Sequence, residues 1–303
     1  MNKDKETEKL KLSEILGIPK KGIIFCDLDG VFFDEENNFA SPNPSDLAIL
    51  DEAKNAGFWI VLNSDTGVSA LASFGQQLGC TPLVIGENGA VIYAPNQRIK
   101  EFLSSDKQFF DQYRKEVVEN LIDPENTIIL GDATSLIKNQ QRLEIPGSML
   151  YVVNTARDCS FGVYTRRFDE NGILVVDDKR TKQTEELLKN LLSKNGREKD
   201  LSCKRYPVLG SCLVKNPRIK KTLGVKYIIG QMPKGLSYFM IGDTINDAIM
   251  YGLEDKVRTC AVGNATEELK DMVSQNGGII APNQFGLAKG VTFIIANILG
   301  GGK

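Results

Sequence analysis

The chain contains no histidine among its 303 residues. That absence excludes Ser-His-Asp and Cys-His catalysis, H-E-x-x-H zinc sites and phosphohistidine chemistry. No G-x-x-x-x-G-K-[ST] run is present, so a P-loop is excluded too. The six cysteines, Cys26, Cys80, Cys159, Cys203, Cys212 and Cys260, form no C-x-x-C pair, which argues against zinc ribbons and thioredoxin-type motifs. Several lie in apolar runs and read as small core residues in a reducing compartment. No apolar run approaches the roughly 20 residues of a membrane span. The opening MNKDKETEKLKL is charged and has no apolar signal core, so a cytoplasmic protein with a mobile tail over residues 1–12 is expected. A net charge of −2 gives no basic excess, so nucleic acid is not expected as a partner, and with no span-length apolar run neither is a membrane. Nothing in the pattern specifies an oligomeric state. Any catalyst here works with carboxylates, Lys, Ser/Thr, Cys and a metal.

Carboxylates stand out. IIFCDLDGV puts Asp27 and Asp29 just past one apolar run, and FMIGDTIND puts Asp243 and Asp247 just past another. Each cluster has hydrophobic residues, then acids, with a glycine beside them, the pattern of a buried strand whose tip carries chemistry. If both strands belong to one parallel sheet, the four acids meet at one edge. Four close carboxylates cannot all stay ionised without a cation, and all-oxygen ligation suits Mg²⁺.

Around these clusters the first third alternates strand and helix. Residues 23–26 read as a strand, Ser45 and Asp46 cap a helix running to Gly57, and FWIVL follows as a buried strand. Val68 to Leu78 is helical by periodicity, with Gly79 as its stop, and TPLVIG is a third strand. This βαβαβ pattern predicts a Rossmann-like, doubly wound α/β sheet with helices on both faces. Residues 95–216 differ. Charged helical stretches (KEFLSSDKQFFDQYRKEVVENL and KQTEELLKNLLSK) mix there with the strand candidates MLYVVN, CSFGVYTRR, ILVVD and SCLVKN. They predict an inserted α+β module, leaving 1–94 plus 217–303 as the core. Alternation then returns, with a helix from Lys221 to Ile229, the strand YFMIG, a helix opening at Asn246, the strand RTCAVG and the helix EELKDMVSQ.

A bare D-x-D is weak evidence by itself. Asp27 and Asp29 fit a nucleophile and a general acid/base, but also a solvated turn or the metal-binding D-x-D of a nucleotide-sugar glycosyltransferase. Gly30 permits the tight turn in any of these. Asp243 or Asp247 alone is explained by helix capping and dipole, but a second acid cluster at a strand end is not. Asn246 offers an amide beside it.

Taken in order, the motifs resemble the haloacid dehalogenase superfamily of phosphohydrolases. The pattern is similar to the Cof-type and sugar-phosphate phosphatase branch, with a large α+β cap, over nearly the whole chain. F-C-D-L-D-G-V fits the first family motif, Ser64 the second, Lys221 in KKTLGVKYI the third and G-D-T-I-N-D the fourth. GENGAVIY (86–93) and AVGNATEELK also resemble the branch. The resemblance implies an Asp27 nucleophile, an Asp29 acid/base, and phosphate contacts from Ser64, Lys221 and Asn246. It further implies Mg²⁺ on Asp27, Asp243, Asp247 and the Asp29 carbonyl, and a small phosphorylated metabolite as substrate. Family members often carry Thr-Gly-Arg at the second motif. Here the run is Ser64-Asp65-Thr66, which leaves subfamily and substrate open. Lys220 adjoins Lys221 and reads as a solvated helix charge.

In the insertion, Arg166 and Arg167 are candidates to clamp a second phosphate or a sugar acid, or simply surface arginines near a turn. Tyr164 and Tyr206 read as packing residues. FFDEENNF (32–39) reads as a flap hairpin with solvated Asp34, Glu35 and Glu36. A phosphomutase of the same superfamily would use the same aspartates, and a non-catalytic phosphate- or partner-binding member is a further alternative.

Overall fold

The computed structural model describes residues 12–33, 44–95, 97–102, 106–121, 127–130, 149–154, 157–207, 209–248 and 256–301. Most of the expected tail, and the flap beyond Phe33 with Asp34, Glu35 and Glu36, lie outside these residues. The chain divides into two compact units, residues 1–101 with 220–303, and residues 102–219.

The first unit is an α/β fold on a seven-stranded sheet. Its strands are β1 (Gly22–Cys26), β2 (Phe58–Asn63), β3 (Val84–Gly86), β4 (Val91–Ala94), β5 (Gln97–Glu101), β12 (Ser237–Gly242) and β13 (Val257–Ala261), in the order β13-β12-β1-β2-β3-β4-β5. The five from β13 to β3 run parallel; β4 and β5 return antiparallel. Every residue of β1 is buried, as a central strand covered on both faces requires. Helix α3 (Val68–Gln77) covers one face, where Gly75 lies against Leu62 and Val84. Helix α6 (Lys221–Gly230) covers the other, its Gly224 set on Ile85. Helix α2 (Pro44–Asn55) packs on β2 and on α9 (Ala288–Leu299). Helix α8 (Glu267–Gln275) starts after Thr266, with Glu267 and Glu268 favourably placed in its first turn.

The second unit has its own sheet and core. β6 (Thr127–Leu130), β7 (Met149–Asn154), β8 (Ser160–Phe168), β10 (Ser202–Tyr206) and β11 (Ser211–Lys215) run in the order β10-β11-β8-β7-β6, and β9 (Leu174–Val176) pairs with β8. Helices α4 (Asp106–Asn120) and α5 (Asp178–Lys194) bury Phe110, Tyr113, Val117, Leu188 and Leu191 against Tyr151, Val153, Phe161 and Val163. The buried positions of α5, Thr181, Thr184, Leu188 and Leu191, recur at the three- and four-residue spacing of one helix face.

Two differences from the sequence expectations concern this junction. Lys100 and Glu101 belong to β5 rather than to a helix, because they pair with Ile92 and Val91 of β4. The helix begins only at Asp106. The units accordingly divide after residues 101 and 219 instead of after 94 and 216. All six cysteines are free thiols, five of them buried. Among the described residues no helix is long and apolar enough to cross a membrane.

Candidate active site at the sheet tip

The candidate site lies within the first unit, where β1 and β12 end. The β1–β12 ladder continues one residue past the strand, since Asp27 N donates to Ile241 O at 2.9 Å. That bond holds Asp27 at the tip, and its Oδ1 accepts from Leu28 N at 2.8 Å. Gly30 then turns the chain with φ 71, and a Cβ there would collide with the Asp243 carboxylate. Gly242 is equally constrained, because a Cβ on it would strike Asp247. The glycine beside each acid pair is what lets the two loops approach.

Three of the four acids converge. Asp27, Asp243 and Asp247 each present a carboxylate oxygen, and these oxygens all lie within 4.8 Å of one another. Asp29 does not join them: its side chain is exposed and its Oδ2 accepts from Ser64 Oγ at 3.2 Å. The chain is leaving the pleat at Gly30, so Asp27 and Asp29 turn to different neighbours. The expected meeting of four carboxylates is therefore a meeting of three, with Asp29 to one side.

Lys221 Nζ sits 2.6 Å from Asp27 Oδ2 and 2.6 Å from Asp247 Oδ1. The other Asp247 oxygen accepts from Thr244 N and Thr244 Oγ1 at 3.3 and 3.2 Å. Thr244 leads into the short helix α7 (Ile245–Ala248), where Asn246 is exposed. Lys221 is set by close backbone contact: a Cβ on Gly89, which has φ 100, would strike the backbone of Lys220 and Lys221. Lys220 itself is exposed.

One ammonium faces three buried or half-buried carboxylates, so negative charge is in excess. Burial and the neighbouring Asp247 push the Asp27 carboxyl well above the usual carboxylate range, against the pull of Lys221. The same two causes raise Asp243 to about 7. Burial alone would lower the Lys221 pKa, but Asp247 and Asp27 outweigh it and raise it, keeping the ammonium charged. An all-oxygen donor set with surplus negative charge fits a hard dication such as Mg²⁺.

Ser64 is buried at the end of β2 and is held by its own loop. Thr66 N donates to Ser64 Oγ at 3.1 Å, and Ser64 Oγ lies 3.2 Å from Thr66 Oγ1. Glu87 N and Asn88 N donate to Thr66 O and Ser64 O, fastening GENGA to the same loop. Asn264 of AVGNAT donates to Gly30 O at 2.7 Å and accepts from Leu287 N at 2.8 Å. Thr66, Thr244 and Asn264 carry no sequence assignment. Their only signal is that each falls inside a stretch already carrying the family pattern. In the second unit, Arg166 Nη1 donates to Thr165 O and Gly210 O at 2.9 and 3.2 Å, tying β8 to the turn before β11. Arg167 is exposed. Tyr164 and Tyr206 are half-buried beneath Arg166 and Lys204.

A model of the haloacid dehalogenase-like hydrolases matches residues 24–285, which include all of these motifs. The chain belongs to this family. Solved structures share the fold of this haloacid dehalogenase-like hydrolase. A haloacid dehalogenase-like hydrolase from Bacteroides thetaiotaomicron is 16% identical with a TM-score of 0.57, covering 92% of this chain and 100% of its own. Thermoplasma acidophilum 0175 is 17% identical with a TM-score of 0.56, covering 93% and 97%. The HAD subclass IIB sugar phosphatase BT4131 is 16% identical with a TM-score of 0.50, covering 93% and 100%. No curated protein matches the chain.

Proposed function

We propose that this haloacid dehalogenase-like hydrolase is a Mg²⁺-dependent phosphatase of the Cof-type branch. It acts on a small phosphorylated metabolite, with a sugar phosphate as the leading class. The observation that carries the reading is the tip itself, where Asp27 is packed with Asp243, Asp247 and Lys221. A structural neighbour named as a sugar phosphatase supports the substrate class.

In this reading Asp27 attacks phosphorus in line, forming the aspartyl phosphate as the ester oxygen leaves. Asp29 gives its proton to that oxygen. Asp29 then takes a proton from the water that attacks the phosphoryl group, which releases inorganic phosphate and restores Asp27. Its exposed position beside Ser64 suits an acid/base that must meet both the leaving group and water. Lys221 supplies positive charge and Ser64 a hydroxyl donor. Asp27, Asp243, Asp247 and the Asp29 carbonyl would hold Mg²⁺, which when bound neutralises charge on the phosphoryl oxygens. Residues 102–219 act as the substrate-selecting cap.

The test is a phosphate-release screen over phosphorylated metabolites. Release that needs Mg²⁺, stops with EDTA and falls by at least about three orders of magnitude in Asp27→Asn is expected. Interconversion of hexose phosphates with little phosphate release would make the protein a mutase instead. Unchanged turnover in Asp27→Asn would remove the nucleophile assignment.

A further inference from the structure

Asn63 ends β2 fully buried, yet among the described residues neither atom of its carboxamide has a hydrogen-bond partner. A buried amide in that condition is costly to keep and calls for a reason. Its place in the sheet supplies one. The parallel register sets Cys26 beside Leu62 and Asn63 beside Ile85, so Asp27 falls on the rung of Asn63. Residues on one rung of a parallel sheet point to one face. Ile85 meets Gly224, so this is the face that α6 covers.

Lys221 is rooted on that same face. Its Cα borders Gly89, just past β3, while its ammonium ends between Asp27 and Asp247, past β1 and β12. β2 lies between β3 and β1. The lysine side chain therefore crosses the end of β2 above Asn63. An ammonium has three protons, and two are committed to the two carboxylates.

We infer that Asn63 is a positioning residue for Lys221. Its carboxamide oxygen takes the third ammonium proton through one enclosed water, and this fixes the ammonium between Asp27 and Asp247. Such a water would also give the buried carboxamide oxygen a donor. Asn63 touches neither substrate nor reacting atoms and acts through the lysine. The kinetic arm of its test rests on the phosphatase reading; the geometric arm does not.

Asn63→Leu keeps the shape and removes the polar atoms. The expected result is an unchanged or higher Tm, with kcat lower by roughly 10- to 100-fold and KM within about twofold. Asn63→Ser keeps a hydroxyl and makes room for water, and retains more of kcat than the leucine variant. If the leucine variant does not fold, the serine variant alone decides, a fall in kcat without a change in KM or Tm being the supporting result. Wild-type turnover in Asn63→Leu overturns the inference, as does a joint fall of Tm and kcat in both variants. A crystal structure of the wild type gives the reading free of activity. A water bound to the carboxamide oxygen should lie within about 3.2 Å of Lys221 Nζ. A dry, unpartnered carboxamide there overturns the inference even if no phosphatase substrate is found, while inactivity of the wild type alone overturns only the function.

Discussion

Three carboxylates meet at the tip of the sheet with one ammonium, which pairs with two of them, and either a proton or a dication must make up the difference. Asp243 shows the consequence. Its folded pKa is about 7, raised by burial and Asp247 from an ordinary value of 3.8. The native state thus keeps a proton that the unfolded chain gives up at lower pH. The stability this contributes is full below the ordinary carboxylate range and is lost as pH rises through about 7. In EDTA, Tm should fall as pH rises from about 4 to about 7, and calorimetry reads it directly. Mg²⁺ takes the deprotonated carboxylates, so its gain in Tm should be larger at about pH 8 than at about pH 5. An equal gain at both would show that these acids do not bind it. Asp27, Asp243 and Asp247, which the structure brings together, stood out in the sequence as acids just past two apolar runs, whereas Ser64 and Lys221 were named only through the resemblance to the family's second and third motifs. Asn63 and Thr244 were not. A lone Asn or Thr near a strand end is ordinary turn and cap chemistry, and only the register puts Asn63 on the rung of Asp27.

At the scale of the element, α6 is the part whose placement matters most to the site. It lies directly on the sheet through Gly224, where a Cβ would drive into Ile85. Gly224→Ala should cost about 1–3 kcal/mol by denaturant unfolding, as overpacking does. It should also lower kcat, because lifting the helix carries Lys221 away from Asp27. Normal turnover in a destabilised variant would mean that the lysine follows the carboxylates independently of its helix. The strands β1, β2, β12 and β13 were readable as apolar runs, as buried parallel strands require. β5 was missed because QRIKE is an edge strand with no apolar run to advertise it. α9 went unassigned because Val291, Thr292, Ile294 and Ile295 favour strands, and Gly290 weakens a helical reading. Its burial against α2 overrides those preferences.

At the scale of the whole molecule, the chain builds two cores. The inserted unit packs α4 and α5 on its own sheet, with Tyr113 Oη bonded to Leu188 O at 2.7 Å. A fragment of residues 102–219 should therefore unfold in one cooperative transition by circular dichroism, with near-UV and far-UV signals coincident. Separated transitions, or no transition, would show that it depends on the rest of the chain. The insertion was visible as a change of texture from βα alternation to mixed charged helices and short strands. Its exact limits were not, because β5 extends the first sheet past the last apolar strand.

The order of the first sheet also dictates a sequence of events during synthesis. β1 is central, yet its neighbours are β2 on one side and β12, far along the chain, on the other. A chain emerging from the ribosome can pair β1 with β2 early, but one edge of β1 stays open while the whole inserted unit is translated. That unit, with its own core, can fold first. During that interval Ile23, Ile24 and Phe25 lie on an unpaired apolar edge, the kind of surface that recruits chaperones or other nascent chains. The acid cluster at the tip assembles only when residues 237–247 arrive, so a product truncated before them would carry Asp27 without Asp243 or Asp247.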